Sequence, residues 1–511
     1  MISKAQSATG QTRTQPYYYI YLNSFAGGIN KKDNPLVLRD DECQDIINMI
    51  VSTQAVEKRP GYIRDTTITV AGVSGLENLY RFYATTGDSH TMSSALALPN
   101  RKVLYGNTEL TGGTALDPIM VQFIDYRGWL FMFNGIQFEC WNGTGTKSDV
   151  VFDGTGSYLA DLNPRIMEVC DDRLFAVDPA NPNRLYYSDY GGWNTTPLAD
   201  MRFDSINYIE IKGQTSDKNG IIALKAYSNN DELLVCREND SWLLLGVGTS
   251  DYSLHKVSGV AGCVSPRGIA EQSDGTLVIM GNQEVYLMAG SNLYPIGEKV
   301  TPLFTNYNMN SCCAVYDPIR DLVLMSYPDG TLVWNNSVKN WTRWDLSFAG
   351  ACCCKATNDS SRMLMSKATA LYIYQIGGNS DDTANISWKI RTKAFDLGYF
   401  GEKKFFRSLK SLQTTPVKTP FTAKISINDG DLTDSHVMTL PSAGVTWGSS
   451  NWAAFNWSGT KKLVGAVIFR EGLIGNTFDV EISNSDDDGF ILYKLAVEMY
   501  TEERRREETV T

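Results

Sequence analysis

Histidine is scarce in this chain of 511 residues, which holds three. His90, His255 and His436 lie far apart and form no His-Glu-x-x-His or His-x-x-x-His pair to grip a metal. Gly-x-Ser-x-Gly elbows and Gly-x-x-x-x-Gly-Lys-Ser/Thr phosphate loops are absent too. The ten cysteines include no Cys-x-x-Cys pair. Cys312-Cys313 and Cys352-Cys353-Cys354 are adjacent in sequence, and neighbours on a strand point to opposite faces, which makes a poor metal cage. They read as small buried residues in a reducing compartment. No run approaches the roughly 20 apolar residues that span a bilayer. Met1 to Gln15 is polar and lacks the apolar core of a secretory signal. Basic charge is in deficit, with 46 Lys and Arg against 57 Asp and Glu, a net −11. That argues against gripping nucleic acid through phosphate neutralisation, but not against a surface past which DNA slides.

Present instead is apolar material for a real core, 43% of residues with 11% aromatic. It is organised around Gly262 to Asn336, where Asp-Gly-Thr-Leu-Val occurs at Asp274 and again at Asp329. Asp-Gly suits a tight hairpin turn, and the apolar run after it reads as a buried strand. Similar runs begin at Leu130, Leu174, Leu233, Leu277, Leu322 and Met363, spaced 44, 59, 44, 45 and 41 residues apart. A second series centred on Phe138, Leu185, Trp242, Val285, Leu332 and Leu371 keeps step with it. A period of roughly 40–45 residues in an all-strand pattern predicts propeller blades of four strands. The longer step leaves room for an insertion between Trp193 and Gly220. An earlier unit around Leu79–Tyr83 and Val103–Tyr105 makes the expectation six or seven blades. A large β-sandwich is the alternative.

The expected organisation is an N-terminal arm, strand and helix over 1–65, a β-propeller over 66–377, a β-sandwich-like domain over 378–500 and a charged tail over 501–511. Cys43, Ile46, Ile47 and Ile50 recur at i, i+3, i+4, i+7 and predict one short N-terminal helix, capped by Asp40 or Asp41. Gly377 to Asp382 reads as a linker. Six alternating segments follow, at 386–390, 404–409, 422–427, 463–469, 477–482 and 491–495.

Candidate chemistry is thin. Asp317, Asp345, Glu271 and Glu284 are the carboxylates that a glycosidase-type propeller would need. The sialidase Asp box and the Gly-His…Trp-Asp repeat of WD scaffolds are both missing. Asp486-Asp487-Asp488 in the Asn484–Gly489 turn offers clustered oxygens for weak Ca²⁺ binding or, more simply, a hairpin tip. The expectation is a protein that is not an enzyme, with no cofactor and no catalytic or metal residues.

One resemblance remains. Phe25-Ala26-Gly27-Gly28-Ile29-Asn30, Asn34-Pro35-Leu36, Asn48 and Lys58-Arg59-Pro60-Gly61-Tyr62 resemble the opening of tail-hub proteins of short-tailed bacteriophages. These are the packaged-DNA stabilisation proteins, and the tail tubular protein B or nozzle proteins are similar in design. The likeness continues through Leu224 to Gly246, Gly262 to Phe304, and Phe395-Asp396-Leu397-Gly398 with Lys403-Lys404-Phe405-Phe406. Its motif residues here are Gly27, Gly28, Asn30, Pro35, Asn48, Arg59 and Gly61. The resemblance implies a structural virion protein assembled in the host bacterial cytoplasm. Six copies would form a homo-hexameric ring in the tail, with portal or adaptor protein above and fibre, spike, needle or nozzle proteins below. Double-stranded DNA would pass through for retention and ejection without sequence-specific binding. It carries over no catalytic residue. The alternative is a receptor- or glycan-binding propeller at the tail tip, with glycan cleavage as its extreme form.

Overall fold

A computed structural model describes residues 18–67, 69–83, 89–97, 102–114, 119–152, 157–189, 202–211, 220–227, 231–246, 248, 251–304, 312–355, 361–398, 401–414, 420–438, 463–470 and 473–501. The expected arm, the charged tail and most of the expected insertion after Trp193 lie outside these residues, as do the side chains of His90, Cys353 and Cys354. The fold is all-β, and the α-helix among the described residues is the single turn Thr301–Phe304. The chain divides into two units: 64–331 with 346–376, and 1–63 with 332–345 and 377–511.

The first unit is a propeller-type array. Five sheets each consist of four consecutive antiparallel strands. They run from Val73–Tyr83 to Thr108–Glu109, Gln122–Tyr126 to Ser148–Asp149, Ile166–Cys170 to Phe203–Glu210, Ala223–Tyr227 to Ser253–Ser258, and Ile269–Glu271 to Asn292–Pro295. Their apolar triplets make sense once the sheets are stacked. In Trp129–Phe133, Leu130 and Met132 pack with Phe82, Val103 and Trp141, while Phe131 and Phe133 pack with Met167, Leu174 and Ala176. In the next sheet Leu174 and Ala176 face backward, while Phe175 and Val177 face forward onto Leu233 and Val235. A strand buried on both faces reads as a continuous apolar run, not an alternating one.

First strands of successive sheets lie side by side. Val73–Tyr83 neighbours Gln122–Tyr126, then Ile166–Cys170, then Ala223–Tyr227; Ile269–Glu271 neighbours Cys313–Asp317, then Gly350–Lys355, which returns to Val73–Tyr83. Five complete blades of consecutive strands replace the six or seven expected from spacing. The period breaks downstream because the last strands take distant partners. Gly350–Lys355, Ser361–Ser366 and Tyr372–Ile376 receive their fourth strand from Tyr62–Thr67. There the Arg64 guanidinium lies 4.0 Å over the Tyr372 ring, and Arg362 pairs with Asp65 at 2.9 Å.

The second unit holds two sheets. One orders Leu463–Ile468, Lys404–Thr414, Ile491–Thr501, Val56–Lys58 and Met49–Val51, with Tyr18–Leu22 also paired to Ile491–Thr501. The other contains Asn340–Trp344, Glu42–Ile47, Ile386–Thr392, Phe478–Asp486, Phe421–Ile427 and Leu432–Met438 in order. Phe406 of the first meets Phe478 of the second, ring centroids 4.8 Å apart. The expected separate N- and C-terminal pieces thus fall in one unit.

The expected helix is a correction. Glu42–Ile47 and Met49–Val51 are strands, and Asn48 between them has φ 56°. Ile46 pairs with Ile390 and Ile47 with Lys389. β-Branched side chains favour that pairing, and tertiary partners outweigh a chance helical spacing.

One buried ion pair in the propeller-type unit sets a pH dependence. Glu139, fully buried on Phe138–Trp141, accepts from Lys147, and its Oε2 has no hydrogen-bond partner among the described residues. Burial pushes its carboxyl up to about 7, against the opposing pull of Lys147. A raised carboxyl holds its proton in the folded chain after the unfolded chain has lost it, so its stability contribution falls as pH rises from about 4.5 through 7. Denaturant unfolding of the full chain across this window will show that loss. The double variant Glu139→Gln/Lys147→Met will flatten it; an unchanged pH profile contradicts the assignment.

Candidate functional site

The residues that carry the resemblance converge on buried backbone in the second unit. Pro60 biases Arg59 toward extended backbone, and the Arg59 side chain is 1% exposed. Its Nε donates to Asn48 Oδ1 at 2.8 Å. Nη1 and Nη2 donate to the two carboxylate oxygens of Asp381 at 2.8 and 2.7 Å. Nη2 also reaches Asp345 at 3.2 Å, and the guanidinium lies 5.8 Å from the Trp344 ring centre. Burial works against the charge, yet the Asp381 and Asp345 carboxylates outweigh it and raise the Arg59 pKa.

Asn48 is the other half of the clamp. Its left-handed backbone suits asparagine better than most residues. Its Nδ2 donates to the Ser387 carbonyl at 2.5 Å, and its Oδ1 also accepts from the Asp345 amide at 3.0 Å. Its own amide donates to the Arg343 carbonyl at 2.9 Å, and its carbonyl accepts from the Arg59 amide at 2.9 Å. One side chain therefore joins segments near 48, 59, 345 and 387. Gly61 completes the junction by exchanging backbone hydrogen bonds with Gly377 and Gly378, at 2.8 and 2.9 Å. A Cβ at Gly61 would strike the Ser380 carbonyl. The expected linker is thus pinned at both Gly377 and Asp381.

The remaining motif residues shape the turn before Glu42–Ile47. Gly27 donates to the Asp41 carbonyl at 3.0 Å. Gly28 has φ 67°, and a Cβ there would meet the Trp341 carbonyl at 2.6 Å. Asn30 Nδ2 donates to Asp33 and Glu42, while its Oδ1 accepts from the amides of Lys32 and Asp33. Pro35 follows the Asn34 turn, and its carbonyl accepts from the Ala394 amide at 3.0 Å. Close by in sequence is buried Asp45, which the sequence reasoning passed over. Arg343 grips it at 2.9 and 2.7 Å, with Lys31 and Lys389 each at 3.5 Å. Burial raises its pKa, but these three cations outweigh that and hold it below the usual carboxylate value.

The acidic turn near Asp486 is already filled. Lys58 Nζ donates to Asp486 Oδ1 and carbonyl, each at 2.7 Å, and to the Asp488 carbonyl at 2.6 Å. An ammonium takes the oxygens that a cation would need. The four carboxylates considered for glycoside chemistry are engaged separately. Asp317 pairs with Arg320 at 2.7 Å, Glu271 with Lys225 at 3.2 Å, Asp345 with Arg59, and Glu284 with the Val285 amide at 3.1 Å. Among the described residues no group of three or more His, Cys, Asp or Glu is placed to hold a metal, and no helix is long and apolar enough to cross a membrane.

Two of the cavities among the described residues bear on ligand binding. One of about 530 Å³ in the propeller-type unit is lined by Phe138, Phe152, Gln137, Asp149, Asp161 and Asn163, among others. Asp149 is held there by the Thr114 amide and hydroxyl, at 2.9 and 3.0 Å. The other, about 480 Å³, lies along Tyr19–Leu22 in the second unit.

No protein-family model matches the chain, and no curated protein matches it. Solved structures are similar to it. BBS1N in complex with ARL6DN is 10% identical, with a TM-score of 0.39 over 62% of this chain and 97% of that one. The extracellular domain of the putative hybrid two component system BT3049 from B. thetaiotaomicron is 9% identical, with a TM-score of 0.43 over 85% of this chain and 58% of that one. The corresponding domain of BT4673 is 11% identical, with a TM-score of 0.38 over 63% of this chain and 40% of that one.

Removing the Arg59 side chain strands the part-buried Asp381 carboxylate and takes one of its two donors from Asn48 Oδ1. Arg59→Met will cost about 3–5 kcal/mol in denaturant unfolding of the full chain. Arg59→Lys will fall between, because an ammonium cannot make the paired contact with Asp381. A cost under about 1 kcal/mol for Arg59→Met would show that the clamp is decorative.

Proposed function

We propose that this chain is a structural subunit of a short bacteriophage tail, a hub or nozzle protein. Copies form a ring, taken as six, between portal or adaptor and the distal fibre, spike, needle or nozzle parts. Double-stranded DNA is held in and released through that ring without sequence-specific binding. The subunit is a virion component assembled in the host cytoplasm, and it catalyses no reaction.

The observation that carries the reading is the fate of the motif residues. Asn48, Arg59, Gly61, Gly27, Gly28 and Asn30 line no cavity described above. They tie distant stretches of chain into one scaffold, which suits a part that bears load and does not turn over a substrate. The net charge of −11 suits a channel wall that DNA passes without sticking. In this reading Cys313–Asp317 with Leu322–Tyr327, and the sheet closed by Tyr62–Thr67, supply a sixth and a seventh blade. In the same reading the two sheets of the second unit serve as the β-sandwich-like domain.

A second reading has one observation in its favour. The 530 Å³ cavity presents Phe138 and Phe152 beside Asp149 and Asp161, an aromatic floor with carboxylates of the kind that holds a sugar ring. In that reading the chain is a glycan-binding propeller at the tail tip.

Mass photometry and negative-stain imaging of the full chain, alone and with a portal–adaptor complex, separate the two. Closed rings, formed alone or on that complex, are expected. Monomers that ignore the complex but bind a surface glycan on an array would replace the tail-ring reading with the second.

A further inference from the structure

Besides Met49–Val51, which ends its path, the first sheet of the second unit has two unlike outer strands, Leu463–Ile468 and the branch Tyr18–Leu22. At one side Leu463–Ile468 pairs with Lys404–Thr414, from Leu463 opposite Gln413 to Ile468 opposite Ser408. At the other, Tyr18–Leu22 pairs with Ile491–Thr501, from Tyr18 opposite Met499 to Leu22 opposite Leu495. Among the described residues neither strand has a second strand partner. An edge strand is a template for another chain, and proteins guard such edges with lysine, proline or a bulge. Leu463-Val464-Gly465-Ala466-Val467-Ile468 and Tyr18-Tyr19-Ile20-Tyr21-Leu22 contain no charge and no proline.

Both edges present apolar side chains on one face of the sheet. Ile468, Ser408, Glu498 and Tyr19 form one cross-strand row, and Ala466, Lys410, Ala496 and Tyr21 form the next. On that face Val464 is 60% and Ile468 72% exposed, and Tyr21 is 43% exposed. Gly465 and Val467, on the opposite face, are buried. One covered and one bare face is ordinary for an antiparallel sheet, but here the bare face is apolar at Val464 and Ile468.

The Tyr18–Leu22 edge also has a space beside it. The 480 Å³ groove touches Tyr19, Ile20, Tyr21 and Leu22 in succession and is walled opposite by Lys393, Phe395 and Asp396, among others. Successive strand residues point to opposite faces. A groove that meets four in a row runs along the backbone edge, where an added strand would lie.

We propose that Leu463–Ile468 of one copy enters this groove and pairs with Tyr18–Leu22 of the next copy. The inference rests on the ring reading above and names the surface that builds the ring. The direction follows from the existing ladder. Tyr18–Leu22 is antiparallel to Ile491–Thr501, which is antiparallel to Lys404–Thr414, which is antiparallel to Leu463–Ile468. Three reversals make the two outer strands antiparallel, so the sheet continues from copy to copy with the commoner pairing. The joined edges differ, so the contact is head-to-tail, and head-to-tail contacts that close by rotation give rings. Main-chain hydrogen bonds supply affinity, and the apolar row of Val464, Ala466 and Ile468 supplies the match to Tyr19 and Tyr21.

Two variants of the full chain test this, at exposed positions whose change leaves the fold intact by thermal melt. Val464→Lys/Ile468→Lys is expected to weaken ring assembly in mass photometry by at least about tenfold, since lysines on a strand edge oppose pairing. Tyr21→Cys/Ala466→Cys is expected to give, on oxidation, a ladder of covalent multimers up to the ring, with neither single substitution sufficient. Rings that survive the two lysines undiminished and give no ladder overturn this pairing and leave the ring reading standing. Dimers from Ala466→Cys alone overturn it in favour of like-to-like edges. A chain that stays monomeric, with and without the portal–adaptor complex, overturns both.

Discussion

A guanidinium taken out of water has to be met by carboxylates, and the second unit is arranged around that requirement. Arg59 is almost wholly buried, with Asp381 on both terminal nitrogens and Asn48 on the third. The chain therefore brings residues more than 300 positions apart to one point. Asn48 extends the network with a neutral group, bonding to Arg59, Asp345 and Ser387 through one side chain. Desolvation makes such a network all or nothing: complete it is rigid, and with one member missing it is costly.

The same economy governs the neighbouring charges. Asp45 collects Arg343, Lys31 and Lys389, and Lys58 fills the acidic turn at Asp486. Positively charged side chains are thereby committed to holding the scaffold together, in a chain that has fewer of them than acidic ones. The chain's overall balance is acidic, which is what the proposed passage of DNA draws on. Asn48, Arg59 and Gly61 serve the folding of the second unit, by joining distant stretches of chain.

Much of this was legible in the chain. The triplets at Leu130, Leu174 and Leu233 gave the repeat because each strand is squeezed between two neighbouring sheets and is apolar on both faces. The six alternating segments after Ile386 are all strands. Cys43, Ile46, Ile47 and Ile50 misled because strand residues either side of a left-handed Asn48 fall, by chance, at helical spacing. The signal that was available was Asn48 itself, amid β-branched residues. Blade number was not legible, because Tyr62–Thr67 pairs with strands some 300 residues later and carries no mark of it. Asp381 looked like a solvated linker acid for the same reason: its partner is 322 positions away. Local pattern reports burial, and it is silent about which distant segment does the burying.

Native-state hydrogen exchange on the full chain tests the clamp most directly. The amides of Asn48, Arg59, Gly61, Asp345 and Gly377 are predicted to exchange together, by one opening, and Asp381→Asn is predicted to speed all five alike. Faster exchange confined to Gly377 and its neighbours, with Asn48 and Asp345 unchanged, would contradict the claim that one buried guanidinium unites these segments.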